Sequence, residues 1–131
     1  MDAPKTSLSI GELICEILTE NAEVKSRTTN IFPVATDKAK LPYILYRRAG
    51  MEQAEAKGIS GADTVALEIN CFTEKYQEGV ELAESVRSAL DNNQAVSADG
   101  KLRMRSCVLA DGEEAWQDDA YVQQLIFNIK V

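Results

Sequence analysis

Histidine is absent from this 131-residue chain. Its absence removes the commonest general base, the commonest transition-metal ligand and every catalytic triad that depends on an imidazole. The sequence also has no GxSxG turn, no Walker loop and no dinucleotide-binding glycine pattern. We therefore predict that the protein is not an enzyme and that it binds no cofactor.

Cysteine is scarce, and its placement argues against metal or disulfide chemistry. Cys15, Cys71 and Cys107 are odd in number and widely spaced, and no CxxC pair is present. Zinc and redox sites usually use closely spaced pairs of cysteines. Since Cys71 falls on the apolar face of a predicted strand, we expect a buried, inert thiol there.

The chain also has fewer basic than acidic residues and no long apolar run. The chain has 14 basic and 21 acidic residues, which gives a net charge of −7. Affinity for nucleic acid depends on Lys and Arg that neutralise phosphates, so we predict no sequence-specific nucleic-acid binding. No apolar run approaches the roughly 20 residues that span a bilayer, and the N-terminus has no secretory signal pattern. We expect no membrane partner and synthesis in a cytoplasm.

The chain is long enough, and apolar enough at 45%, for one domain with its own core. No internal repeat or low-complexity segment divides it. We predict a mobile N-terminal arm over residues 1–8 and a single α+β domain over residues 9–131.

The clearest structural pattern lies in residues 64–90. A two-residue period predicts a strand over Thr64–Phe72 with one buried face, which consists of Val65, Leu67, Ile69 and Cys71. We expect Thr73 to cap a following helix. Steps of three or four residues then place one apolar stripe on that helix, formed by Tyr76, Val80, Ala83, Val86 and Leu90. The segment predicts a helix packed on a sheet.

A second helix is predicted near the N-terminus, where Ser9 and Glu12 have the spacing of a capping box. Its apolar stripe consists of Ile10, Leu13, Ile14, Ile17 and Leu18, and the helix is expected to end near Asn21. Residues 22–42 have no clear period. A short strand is possible around Ile31, Phe32 and Val34, and Pro33 would confine it to the edge or the end of a strand.

Three further strands are predicted, over Tyr43–Arg48, Lys101–Ala110 and Ala120–Val131. We expect a long contact arm over residues 49–63 and an acidic loop over residues 111–119. In the middle strand Leu102, Met104, Ser106 and Val108 should share one face. The whole pattern predicts an α+β fold with a mostly antiparallel four- to five-stranded sheet, two helices packed on one face and the order α-β-β-(β)-α-β-β.

The predicted acidic loop carries five carboxylates and one aromatic residue, namely Asp111, Glu113, Glu114, Asp118, Asp119 and Trp116. The spacing of the acids does not match a calcium-binding loop, so we predict no metal site. Two positions remain open for Trp116, which can fold back onto its own domain or anchor a neighbouring subunit.

Four arginines form the other group of candidate residues: Arg47, Arg48, Arg103 and Arg105. Three hypotheses apply to them. They can line a phosphate-binding row, or pair across strands with Glu68, or meet the acidic loop of a neighbouring copy. Different patches that meet head to tail generate a ring when the rotation closes. The candidate subunit or tube interface therefore consists of these arginines together with Glu113, Glu114, Trp116, Asp118 and Asp119.

The strings LPYILYRR, ALEINCFTEKYQEGVELAESVRSAL and YVQQLIFNIKV resemble tail-completion proteins of long-tailed bacteriophages and prophages, which are similar in fold to the lambda tail terminator. The resemblance runs from about Ser9 to Val131 and departs most over residues 22–40. Positions that match the family pattern are Pro42, Tyr43, Tyr46, Ala83, Glu84, Val86, Arg87, Ala89 and Leu90.

This resemblance implies a structural protein that forms a ring, commonly a hexamer, at the head-proximal end of the tail tube. The implied partners are further copies of the chain, the tail tube protein and the head–tail connector, with DNA passing through the lumen. The implied location is the virion tail, assembled in the cytoplasm of a bacterial host. The alternative function is a small regulatory or ligand-binding α+β module, monomeric or dimeric, with a pocket between helices and sheet.

Overall fold

The structure is a computed structural model that describes residues 5–37, 39–53 and 63–131. A short 3-10 turn, Ser7–Ser9, leads into the first helix. The elements that follow are α1 (Ile10–Glu20), α2 (Ala22–Arg27), β1 (Ile31–Pro33), β2 (Tyr43–Glu52), β3 (Thr64–Thr73), α3 (Tyr76–Leu90), β4 (Ala95–Val96), β5 (Arg103–Met104), β6 (Ser106–Gln117) and β7 (Ala120–Lys130).

Five strands form the main sheet in the order β1-β2-β3-β7-β6, and β4 and β5 form a separate pair. β1 runs parallel to β2, whereas the other neighbours in the main sheet are antiparallel. The two substantial helices, α1 and α3, pack against this sheet, and the short helix α2 packs against both of them. The predicted α+β class with a mostly antiparallel sheet is therefore confirmed. The short strand expected near Pro33 is also present, at an edge of the sheet.

The core lies between the helices and the central strands. The alternation predicted for β3 is confirmed, because Val65, Leu67, Ile69 and Cys71 are all fully buried. Leu67 and Ile69 pair with Phe127 and Leu125 of β7, which supply the same face. Full burial of each large apolar side chain contributes about 1.5–3 kcal/mol, so this face is a main source of stability.

Helix α1 buries the predicted apolar stripe, since Ile10, Leu13, Ile14 and Leu18 are all 2% exposed or less. The predicted capping box is wrong: Ser9 caps the helix without a side-chain hydrogen bond. The physical reason is that the chain enters α1 through the 3-10 turn, which Thr6 caps instead. The helix stops before Asn21 as predicted, and the side chain of Asn21 caps α2 by accepting from the Val24 N–H at 3.1 Å.

Helix α3 starts later than predicted and buries a slightly different stripe. Thr73 is the last residue of β3, so the prediction that it caps the helix is wrong. Its hydroxyl donates to the carbonyl oxygen of Lys75 at 2.8 Å. A Cβ on Gly79 would lie 2.8 Å from the Thr73 Oγ1, so glycine permits the close approach of α3 to β3. The buried residues of α3 include Gly79, Leu82, Ala83, Val86 and Leu90.

The single strand predicted over Lys101–Ala110 is wrong, because the chain divides at Arg105. β5 pairs with β4 in the small sheet, whereas β6 joins β7 in the main sheet. The change of partner resets the alternation, so Met104 and Cys107 are both fully buried and Val108 is 49% exposed.

Two predicted flexible segments are partly regular. β2 extends to Glu52 with an irregularity between Arg48 and Gly50, so the first residues of the predicted arm over 49–63 are strand. Residues 54–62 of that arm lie outside the described residues. Within the predicted N-terminal arm, Ser7 is buried and donates to the Asp63 carboxylate at 2.6 Å, and residues 1–4 lie outside the described part.

No helix in the described part of the chain is long and apolar enough to cross a membrane.

Candidate functional site

The acidic segment is the end of a β-hairpin, so the predicted loop over residues 111–119 is wrong. β6 pairs with β7 from Ser106↔Lys130 to Gln117↔Ala120. The connection is the pair Asp118 and Asp119, with φ angles of 53° and 59°. Two left-handed residues in succession fit a type I′ turn, whose twist matches that of the flanking strands. The sequence obscured this turn because neither position is glycine or asparagine.

The register of β6 separates the acids onto two faces. An irregularity between Leu109 and Asp111 shifts the alternation. Beyond it Glu114 pairs with Gln123 on the side of the sheet that α3 covers, and Glu113 pairs with Gln124 on the opposite side. Among the described residues no group of three or more acidic or cysteine side chains is placed to hold a metal ion.

Trp116 packs against its own domain and also faces solvent. Its ring meets Tyr121 edge to face at a centroid distance of 4.8 Å, and Tyr121 meets Tyr76 of α3 in the same way at 5.8 Å. Such pairs are favourable because the positive edge of one ring meets the negative face of another. Trp116 nevertheless stays 58% exposed. Folding back therefore leaves much of the indole open to a partner.

Glu114 lies beside this aromatic group and is held in place by two donors. Its Oε2 accepts from Gln123 Nε2 at 2.9 Å and from the Tyr76 hydroxyl at 2.8 Å. These two hydrogen bonds, that of Gln123 first, lower the pKa of the Glu114 carboxyl. The carboxylate is charged at neutral pH. A surface groove of about 220 Å³, here called the aromatic groove, is lined by Tyr76, Glu114, Ala115, Trp116, Tyr121 and Gln123.

The structure does not bring the four candidate arginines together. Arg47 and Arg48 lie on β2, which β3 and β7 separate from β6. Arg103 lies in the small sheet, and the Arg105 backbone N–H donates to the carbonyl oxygen of Lys130 on β7. A phosphate-binding row of all four residues is therefore not formed.

Arg47 and Arg48 have partners within the chain. Arg47 donates to both carboxylate oxygens of Glu68, at 2.9 and 3.1 Å, so the predicted cross-strand pairing is confirmed for this arginine. Asn70 donates to the same carboxylate at 2.9 Å. The Arg48 guanidinium donates to the carbonyl oxygen of Leu8 at 2.8 Å. Both arginines therefore bind groups within their own chain.

Arg103 and Arg105 differ, because both are exposed and neither bonds through its side chain to a described residue. They lie on either side of Met104, which is buried. Val96 pairs with Arg103 across the small sheet and is 51% exposed. A groove of about 320 Å³, here called the basic groove, is lined by Gln94, Ala95, Val96, Arg103, Met104 and Arg105.

The two grooves lie at opposite ends of β6. Arg105 immediately precedes this strand, and Trp116 is its second-last residue. Twelve strand residues extend for roughly 40 Å at about 3.3 Å per residue. The two grooves of one chain therefore cannot contact each other.

The centre of the layer between helices and sheet is filled, which does not fit the alternative of an enclosed ligand pocket there. The groove of about 340 Å³ between α1 and Tyr46 of β2 opens to the surface. Among the described residues this layer holds large side chains with relative exposures below 2%, including Phe127, Ile10, Ile14, Ile44, Leu67, Leu82 and Leu90. The expectation of a buried thiol at Cys71 is confirmed, and burial raises its pKa to about 12. That thiol is protonated at neutral pH and is a poor nucleophile.

A filled core with two oppositely charged surface grooves is an arrangement that suits a structural assembly protein. A family model described as "Tail completion protein gp17" matches residues 12–130. The chain belongs to this family and is a structural component of a phage-like virion, which confirms the prediction that it is not an enzyme.

A solved structure with a similar fold is a chain from the virion of a native gene transfer agent particle. The two chains are 17% identical, with a TM-score of 0.73 over 96% of this chain and 98% of that one. No curated protein matches this sequence at a significant level.

Proposed function

We propose that the protein assembles as a ring, most simply a hexamer, at the head-proximal end of the tail tube. The ring occupies the end of the tube, so no further tube subunit adds there, and it presents its other side to the head–tail connector. The membership of the chain in the tail completion family supports this proposal.

One structural observation supports a ring: the two grooves lie at opposite ends of β6. One end of the strand has exposed arginines beside Val96, and the other has exposed acids beside Trp116. Because the two patches differ, contacts between copies are heterologous. Such contacts form a closed ring when the rotation between neighbours divides a full turn. A ring can cap a tube, whereas a two-fold dimer buries its contact patch and stops.

The net charge of −7 per chain agrees with a channel for DNA. A ring made of such chains repels phosphates and does not retain the genome during passage. Its binding to DNA in solution should therefore be weak.

Deletion of the gene in the strain that produces the particle tests the function. We expect tails of irregular length that lack heads, and normal particles when the gene is supplied in trans. Electron micrographs give tail lengths and the fraction of tails with heads. Normal tails joined to heads in the deletion strain would refute the proposal. Negative-stain images of the purified protein test the ring separately, since an annulus with a central hole is expected.

A further inference from the structure

We propose that the aromatic groove of one copy binds the Arg103 and Arg105 side chains of a second copy, with Val96 of that copy beside Trp116; this inference rests on the proposed self-assembly.

The aromatic groove has the chemistry of a guanidinium site. Arginine stacks on indole through cation–π attraction, and its planar fork donates two hydrogen bonds to a carboxylate. Trp116 supplies an indole that is 58% exposed. Both donors to Glu114 bind the Oε2 atom, so its Oε1 accepts no hydrogen bond from any described residue. The groove thus combines an exposed indole with a carboxylate oxygen that no described residue uses.

The surroundings of the groove favour a cation over other occupants. Its lining contains one acidic residue and no basic residue. Asp118 and Asp119 follow Trp116 by two and three positions at the tip of the hairpin. The sum of these negative charges attracts a positively charged partner and disfavours an anionic one.

A second copy of this chain can supply the required cations. The sequence contains six arginines, all in the described part. Four of them bind partners in their own chain, since Arg27 contacts Glu81 and Ser85, Arg47 contacts Glu68, Arg48 contacts Leu8 and Arg87 contacts Asp91. Only Arg103 and Arg105 make no such side-chain contact with described residues. These two arginines also lie beside each other on one groove.

The two grooves match in their apolar centres as well as in charge. The basic groove has one exposed large apolar side chain, Val96, and the aromatic groove has two exposed aromatic side chains, Trp116 and Tyr76. Contact between Val96 and Trp116 would remove both from water, and the charged residues would surround the contact. Interfaces between proteins commonly have this arrangement, with an aromatic residue and arginines as the strongest contributors.

Charge reversal in the full-length chain tests the pairing. Variant A carries Arg103→Glu and Arg105→Glu, and variant B carries Glu114→Lys. We expect each variant alone to self-associate at least thirtyfold more weakly than the wild type, as for central interface residues. Sedimentation velocity over a wide concentration range gives the association constants. Arg103→Lys with Arg105→Lys should bind less tightly than the wild type, because the ammonium groups keep the charge but lose the planar fork.

Mixing A with B distinguishes a specific contact from a folding defect. Variant A keeps an intact aromatic groove and variant B keeps intact arginines, so the mixture has one native interface and should form mixed oligomers. The matched control, Lys25→Glu with Lys40→Glu, makes the same charge change as variant A at exposed residues outside both grooves. Its association constant should be close to that of the wild type, with only the small decrease that the greater net negative charge causes.

Three outcomes would overturn the pairing. The first is that variants A and B associate as strongly as the wild type. The second is that the mixture of A and B fails to associate. A wild-type chain that stays monomeric at every concentration would also overturn it. None of these results decides the function in tail completion, which rests on the deletion strain and its tail lengths.

Discussion

Arg47 and Glu68 face each other across β2 and β3, and the guanidinium binds both oxygens of the carboxylate, at 2.9 and 3.1 Å. Only 12% of the Glu68 side chain is exposed, against 47% for Arg47. The hydrogen bond from Arg47 is the main reason that the pKa of Glu68 lies below its ordinary value of 4.5. The pair joins two neighbouring strands on the face opposite the helices.

This pair should make stability depend on pH in acid. The folded state holds Glu68 ionised below the pKa of the unfolded chain, so its contribution is present above about pH 4.5 and is lost as the pH falls through the lowered pKa. Because Arg47 is half exposed, we expect the contribution to be at most about 1 kcal/mol. Urea unfolding of the wild type and Glu68→Gln at several pH values measures it. Equal slopes of stability against pH below 4.5 in both proteins would contradict this assignment.

Substitution of Gly79 by alanine should destabilise the protein, although alanine is the better helix former. The new Cβ would lie 2.8 Å from the Thr73 Oγ1. Relief of such a clash requires either that the Thr73 hydroxyl rotates and loses its hydrogen bond to the Lys75 carbonyl oxygen or that α3 moves away from β3. We expect a net loss of about 1–3 kcal/mol in the free energy of unfolding. Gly50→Ala is the matched control, because nothing lies within 4 Å of its new Cβ. A stabilised Gly79→Ala protein would show that α3 has room to shift.

Substitution of the turn residues Asp118 and Asp119 should stabilise the protein. Both residues have left-handed φ angles, which asparagine and glycine adopt at lower cost than aspartate. Asp118→Asn with Asp119→Gly should raise the free energy of unfolding by about 0.5–1 kcal/mol. The double alanine variant removes the same charges without favouring the turn, so it should be less stable than the wild type. Equal gains in both variants would mean that charge repulsion, and not backbone conformation, limits the turn.

Trp116 is the sole tryptophan and therefore reports on the aromatic groove directly. Since 58% of it is exposed in the single chain, we expect emission typical of a solvated indole at low concentration. On self-association the emission should move to shorter wavelength, and quenching by acrylamide should fall. The variant with Arg103→Glu and Arg105→Glu should show neither change over the same concentrations. Unchanged emission in an assembled sample would place the indole outside the contact between copies.

The parts of the fold that the sequence predicted correctly are those whose pattern is local. Val65, Leu67, Ile69 and Cys71 alternate because one face of β3 is buried along its whole length. Helix α2 has no such pattern, since Val24 is the only buried residue among its six. A helix this short is held by its cap and its neighbours, and neither gives a hydrophobic period.

The errors share a different cause, which is a change of partner in three dimensions. The break at Arg105 occurs because β5 and β6 belong to different sheets, and no local feature marks it. The hairpin strand that carries Glu114 and Trp116 is rich in acids and poor in strand formers, yet it forms because β7 is a strong strand along its whole length. The irregularity after Leu109 decides which acids share a face with Tyr76. That part of the site therefore could not be predicted from the sequence.

The acidic half of β6 has a consequence for the free chain before it joins a particle. β6 is an edge strand, and its acidic half has no strand neighbour on the outer side among the described residues; such edges can recruit identical edges and lead to aggregation. Two copies that approach through this half of β6 would bring Asp111, Glu113 and Glu114 against the same residues of the other copy. We expect this mutual repulsion to disfavour the joining of newly made subunits into continuous sheets, which would leave them available for ordered assembly.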